Sequence, residues 1–413
     1  MRRGSLGLML LVSVAVLAGC GSTHNVPNKI SGQTLTIYTS LPLHGASAVS
    51  GEAVLGGAKI ALDQVRGRIG RYRIVLRWMD DSTAKRGTWD PGQTTVNAHQ
   101  AMNDRTTIGY IGEYNSGASA ISIPLLNRMG IPQISPTSTA VGLTSHGIGA
   151  APGEPEKYYP TGIRTYARVV PSDAIEATAQ VRLQQDAGCN KTFILDDGEF
   201  DGDDAEASFQ VAARGAHLKL AGVQTFDPRV KDYRPLAAAV AKTGADCVLI
   251  SAITEDNAVL LTKQVAEAVP NAKLFGTGGL AESTFADPEQ GGIPRSLDSR
   301  VLITAAALGP AASPPSGKAF YDRYALRYGD SEPYAIFGYE AMSLMLSAIA
   351  RATDDGTEPA QRSKVRAAIF STRGRRSVVG TYSIKPDGDT TLRRYGVYRI
   401  VGGRLRYWKM IDA

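Results

Sequence analysis

The sequence predicts an α/β protein of two doubly wound parallel-sheet lobes, joined by a hinge and ending in a β-rich tail. Three observations lead there. Short apolar segments alternate with helical ones over residues 35–135 and again over 173–307, the pattern of parallel strands covered by helices on both faces. Residues 143–165, with Gly, Pro and charge, separate the two runs as a surface loop. From 379 onward the pattern changes, and segments 395–401 and 404–410 alternate around Gly402-Gly403, which signals a β-hairpin.

The elements follow in order. Residues 35–39 form a short Leu/Ile/Thr strand, and 51–65 put Val54, Ala58, Ala61, Leu62 and Val65 on one helical face. Strand 73–78 comes next. Asp90-Pro91 opens a helix, with Asp as N-cap and Pro at the first position. Strand 108–111, helix 119–128 and strand 133–135 complete the first run. In the second, helices at 173–187, 203–214, 233–243 and 257–269 interleave with strands at 192–195, 218–225, 247–251, 273–276 and 301–307. Two long helices, 315–328 and 335–351, precede the tail. Two doubly wound halves facing each other make a cleft at their strand ends that can close by hinge motion.

The amino end adds a destination. Arg2 and Arg3 precede an apolar run from Leu6 to Leu17, which is too short to span a bilayer. It ends in Leu17-Ala18-Gly19-Cys20. A charged start, a short apolar stretch and small residues before a cut make a secretory signal. The cysteine after Leu-Ala-Gly resembles the lipobox of bacterial lipoproteins, which implies cleavage after residue 19 and acylation of Cys20. The mature protein is then expected outside the cytoplasm, anchored at the membrane through lipid.

The rest of the composition narrows the function. The formal charge of +6, or +4 without Arg2 and Arg3, is spread along the chain. The one basic cluster, Arg373, Arg375 and Arg376, reads as a solvated loop. No aromatic–basic stacking pattern accompanies it, so no nucleic-acid partner is expected. Cys189 and Cys247 each stand at or just before a strand, in a compartment that permits a disulfide. Bridging is the expectation, and two buried thiols are the alternative.

Three stretches then carry a resemblance. They are Tyr110-Ile111-Gly112 running into Asn115-Ser116-Gly117-Ala118-Ser119, the segment from Ile131 through Pro136 to Thr139, and Gly380-Thr381-Tyr382 with Lys385-Pro386-Asp387-Gly388-Asp389. With the lipobox and the two α/β halves, they resemble the branched-chain amino-acid binding lipoproteins of ABC importers, which have the type I periplasmic binding protein fold. The resemblance implies a signal peptide at 1–19 and a lipidated tether at 20–32. It implies one lobe from 33–167 with 308–378, and another from 168–307 with 379–413. The implied partners are a small-molecule ligand, an amino acid or small carboxylate, and an ABC permease. No cofactor, metal or catalysis is implied.

Site residues are carried over position by position. Ser116 and the amides of its helix start match the family's carboxylate site. This agrees with the anion affinity of a helix N-terminus, although Ser116 and Ser119 could equally only cap the helix. Thr137 and Thr139, with Ser138 between, match the second contact segment. The other lobe departs from the pattern. The family's tyrosine after the first strand of that lobe matches Asp201, beside Phe200, and its next aromatic matches Ile253. The glutamate that holds the ligand's ammonium group matches Gly278. Asp201, Glu255 or Glu282 could restore that charge, or the ligand carries no ammonium.

Other chemistries find little footing. Asp197, Glu199, Asp201 and Gly202 echo the start of a calcium loop, but its closing acid would fall at Ser208. Neither a Gly-x-Ser-x-Gly elbow nor a Gly-x-x-x-x-Gly-Lys-Ser/Thr loop occurs, and the histidines have no metal-ligand spacing. A ligand-sensing surface lipoprotein of the same fold remains as the alternative to an importer component.

Overall fold

The computed structural model describes residues 28–198 and 200–413, with 200–204 as backbone only. Cys20, most of its tether and Glu199 therefore lie outside the described residues. The first sheet contains β1 (Thr34–Leu41), β2 (Arg68–Ile69), β3 (Tyr72–Asp80), β4 (Thr107–Ile111), β5 (Gln133–Ser135) and β6 (Tyr166–Arg168). Its strand order is β2-β3-β1-β4-β5-β6, parallel except where β2 meets β3. The helices α1 (Ala48–Gln64), α2 (Pro91–Asn103) and α3 (Ser116–Arg128) connect these strands. All residues of β4 and β5 are buried, as expected of parallel strands covered on both faces.

The second sheet contains β7 (Lys191–Asp196), β8 (Lys219–Thr225), β9 (Cys247–Ser251), β10 (Lys273–Gly276) and β11 (Val301–Ala305). Interleaved with them are α4 (Asp173–Asp186), α5 (Phe200–Gly215), α6 (Arg234–Lys242), α7 (Val259–Ala268) and the short α8 (Ser283–Ala286). The chain then returns to the first lobe with α9 (Pro315–Tyr328), α10 (Ala335–Ala352) and α11 (Arg362–Phe370). There α10 packs between α1 and α11, so nearly its whole circumference is apolar and buried. A ribbon of β12 (Arg375–Ser377) and β13 (Gly380–Tyr382) follows, and β14 (Arg394–Val401) and β15 (Arg404–Asp412) end the chain. These last two join the second sheet antiparallel to β11, in the order β15-β14-β11-β10-β9-β7-β8.

The architecture is the one expected: two parallel-sheet lobes with a β-hairpin added to the second sheet. Gly402 and Gly403 turn that hairpin with positive φ of 61° and 77°. The chain crosses between lobes at 169–172, 306–314 and 383–393. Among the described residues no helix is long and apolar enough to cross a membrane.

Directly after the long loop comes β6, a three-residue strand too short to show a period in the sequence. One reading needs correction: Arg375 is not in a solvated loop. It lies on β12, and its Nε donates to Glu340 Oε1 of α10 at 2.6 Å. Tyr382 Oη donates to the same oxygen at 2.7 Å. Burial raises the Glu340 carboxyl, and Arg375 opposes that rise.

Cys189 and Cys247 are bonded, with Cα atoms 5.8 Å apart. Cys247 opens β9 opposite Thr192 of β7, and Cys189 stands just before β7. The two sulfurs thus meet at the amino ends of adjacent strands.

Candidate ligand cavity between the lobes

The carboxyl ends of both sheets face a cavity of about 50 Å³. The first lobe contributes Tyr114, Asn115, Thr137, Thr139 and Tyr334 to its wall. The second contributes Asp173, Glu176, Asp197, Ala205, Ser251 to Ile253, and Thr277 to Gly279. A solute held here touches both lobes.

The first-lobe wall is built by loops after β4 and β5 that bond to each other. Thr137 Oγ1 donates to the Tyr114 carbonyl at 2.7 Å. Ser138 is buried behind the wall, sharing a 2.8 Å bond with Ser119. Ser116 is also behind it: its Oγ accepts from the amides of Thr139 and Ala140 at 3.1 and 3.2 Å. The wall face at the start of α3 is instead Asn115, the N-cap residue, whose side chain makes no capping bond. Ser119 does not cap α3 either; it accepts from the Glu113 amide at 3.1 Å. These serines brace the two loops that carry Asn115, Thr137 and Thr139.

In the second lobe, Ile253 and Gly278 both line the cavity. The Ile253 amide donates to Asp197 Oδ2 at 2.9 Å. Ala205 belongs to α5, the helix that Phe200 and Asp201 begin, and the side chains of those two lie outside the described residues. Glu255 and Glu282 are not in the wall. They reach across the mouth to the first lobe, where Glu255 Oε1 accepts from the Ser47 amide and Glu282 Oε1 from Tyr114 Oη, each at 3.1 Å. Thr284 Oγ1 donates to the Ala46 carbonyl at 2.9 Å on the same side. The lobes are therefore closed on one another.

Of the acids that line the cavity, Asp197 belongs to the acidic stretch noted in the sequence, whereas Asp173 and Glu176 were not singled out there. Asp173 and Glu176 occupy the first turn of α4, where acids also favour the helix dipole, so sequence alone gave no reason to assign them a ligand. Glu176 matters most. The Gly278 amide donates to its Oε1 at 2.8 Å, and Thr304 Oγ1 donates to the same oxygen. Burial pushes its carboxyl up to about 7, against the pull of those two bonds. A carboxylate from α4 thus stands beside Gly278, where the resemblance placed the acid itself. A Cβ on Gly278 would come within 2.3 Å of Tyr334 Oη and 3.6 Å of Glu176 Oε1. The space an acid at 278 would need is already taken.

Gly279 is tighter still, because its Cβ would lie 2.4 Å from the Ala252 carbonyl oxygen. Backbone cannot swing aside as a side chain can. Gly279→Ala should therefore lower stability by about 1–3 kcal/mol, the usual cost of overpacking, seen as a lower urea midpoint.

The family model described as periplasmic binding protein matches residues 34–404, almost the whole described chain. The chain belongs to the periplasmic binding protein family. This periplasmic binding protein is accordingly an extracytoplasmic solute binder and not an enzyme. It is 22% identical over 373 residues to the Leu/Ile/Val-binding protein BraC3 of Rhizobium johnstonii, covering 90% of this chain and 93% of that one. Among solved structures it resembles the leucine binding protein LivK of Thermotoga maritima. The TM-score is 0.77 at 19% identity, covering 92% of this chain and 99% of that one. A solute binding protein of an ABC transporter from Rhodopseudomonas palustris HaA2, in complex with p-hydroxybenzoic acid, gives 0.74 at 17%, covering 92% and 97%. At these identities the structural likeness establishes the fold. Among the described residues no group of His, Cys, Asp and Glu could hold a metal ion.

Proposed function

We propose that this chain is the lipid-anchored solute-binding component of an ABC importer, and that it captures an amino acid of the branched-chain or a related type between its lobes. The observation that carries this reading is the two-sided cavity. Asn115 and Thr139 stand beside the amino end of α3, which suits a carboxylate. Across from them, Glu176 suits an ammonium group. An aromatic carboxylate such as p-hydroxybenzoate brings no cation to pair with Glu176.

In this reading Thr137, Thr139, Ile253 and Gly278 touch the solute, while Ser116 and Ser138 hold the loops that position it. Phe200 and Asp201 are assigned to the same cleft through their place at the start of α5. The lobes divide at the crossings 169–172, 306–314 and 383–393, so β6 and the β12–β13 ribbon go with the first lobe, a few residues from the division of 33–167 with 308–378 and 168–307 with 379–413. Capture stabilises the closed form, and a permease reads that form.

A thermal-shift panel of amino acids and small carboxylates on residues 21–413 tests the ligand class. A true ligand at 100 times its dissociation constant adds about 2.7 kcal/mol. A panel in which only aromatic carboxylates stabilise the protein would remove the amino-acid reading. The anchor is tested separately. Cys20→Ser should move the protein from the membrane fraction to the soluble fraction, and unchanged partitioning would remove the lipid.

A further inference from the structure

The terminal hairpin has a face that the fold leaves uncovered. Helix α4 packs on β14 and β15, and its last residue, Asp186, accepts from Lys409 Nζ at 2.7 Å. Along that stretch Tyr395 and Val397 are buried. Past the end of α4 the same face turns outward. Arg399 stands opposite Arg406, and Val401 opposite Arg404, so their four side chains share one side of the ladder. All four are exposed, Val401 by 60%, and so is Trp408 beside them, by 41%. The Arg399 guanidinium lies 3.3 Å from the centre of the Trp408 ring.

The fold offers this face little counter-charge. Residues 393–411 hold five arginines and one lysine and no acid. Like charges directly opposite each other, as Arg399 and Arg406 are, weaken a strand pair. Among the described residues the one ion pair of the three outward arginines is that of Arg406 with Asp330, 3.9 Å apart with both side chains exposed. Exposed pairs contribute little. Asp287 is the other carboxylate in the field of Arg404. An exposed indole among guanidinium groups suits a lipid surface: headgroup phosphates take the charge, and tryptophan settles at the boundary between headgroups and acyl chains.

Resting on the proposed lipid anchor, we infer that this face of the hairpin lies on anionic membrane lipid, with Arg399, Arg404 and Arg406 on the headgroup phosphates and Trp408 in the interface. The anchor puts that membrane within reach, since residues 20–27 span at most ~30 Å. The tether joins the first lobe at Asn28, whose Nδ2 donates to Ser363 Oγ at 2.7 Å, and the hairpin belongs to the second. The two contacts hold both lobes at the membrane surface. Three arginines bind weakly and only at moderate salt, because screening sets in within about 8–10 Å. The lipid retains the protein, and the hairpin orients it.

Flotation of the mature chain without its lipid, residues 21–413, tests the contact. The probes are phosphatidylcholine vesicles and vesicles carrying about 30% phosphatidylglycerol, at about 0.1 M salt. Wild-type protein should float about tenfold more with the anionic vesicles and come off in about 0.5 M salt. Binding should shift its fluorescence to the blue, and Trp408→Phe should remove that shift. Arg399→Gln, Arg404→Gln and Arg406→Gln together should lower the bound fraction about tenfold without lowering the urea midpoint. Lys85→Gln, Lys318→Gln and Arg323→Gln remove the same charge from exposed positions of the first lobe, and should leave binding within about twofold. No binding to the anionic vesicles, equal binding to both kinds, or equal loss in the two triple variants would overturn the inference. The Cys20→Ser fractionation, done after a wash in about 0.5 M salt, reads the lipid alone, so the anchor and the hairpin contact fail separately.

Discussion

Arg168→Met should destabilise the protein by about 3–5 kcal/mol, the range for breaking a buried ion pair by removing one partner. Arg168 ends β6, just before the first crossing between the lobes, and Asp389 lies in the third. Arg168 Nε donates to Asp389 Oδ1 at 2.8 Å, and Nη2 approaches the same oxygen at 2.7 Å. Nη2 also donates to Thr144 Oγ1 at 2.8 Å, and Nη1 to the Ala140 carbonyl at 2.7 Å. Methionine fills much of the volume but leaves a buried carboxylate and carbonyls without their donor. Urea unfolding at pH 7 measures the loss. Adding Asp389→Leu should recover part of it, because the uncompensated charge is then gone. The pH dependence has a defined sign. Burial pushes the Asp389 carboxyl up, but Arg168 and Thr144 more than offset this and hold it below the ordinary carboxylate range. Its contribution is therefore full above the unfolded-state value and is lost as pH falls through the lowered one. The Arg168→Met protein should lose less stability on acidification than wild type.

Replacing Cys189 and Cys247 by serine should cost about 4 kcal/mol by the chain-entropy estimate for a loop of this length. The crosslink spans 58 positions and encloses β7, α5, β8 and α6. The segment that contributes Asp197 and Ala205 to the cavity lies inside that loop. The double serine variant should unfold at lower urea and show a raised amide-exchange rate first around α5. Equal stability of the two forms would mean that this lobe is held by its sheet alone.

Much of this architecture was legible in the chain. Strands such as β4 and β9 are buried on both faces, so they read as short unbroken apolar runs between glycines and polar turns. What escaped was set by tertiary context. The three-residue β6 and β12 have too few residues to show a period, and Arg375 is half-buried because it pairs with Glu340 of a helix distant in sequence. The cavity divides in the same way. Thr137, Thr139, Ile253 and Gly278 line it, and the residue types at those positions were visible in the sequence. Ser116 and Ser138 are buried beside it, Ser116 Oγ accepting from the Thr139 and Ala140 amides and Ser138 Oγ sharing a bond with Ser119. Tyr334, the N-cap of α10, and Glu176 of α4 both approach Gly278 from more than fifty residues away, and no local spacing announces them.

The central claim is that solute is held between the lobes and closes them. Small-angle X-ray scattering on residues 21–413, with and without the amino acid that most stabilises the protein, tests this most directly. The radius of gyration should contract on saturation, and Glu176→Gln should need more of the same solute for the same contraction. Saturating binding with an unchanged radius of gyration would place the solute outside the cavity and contradict capture by closure.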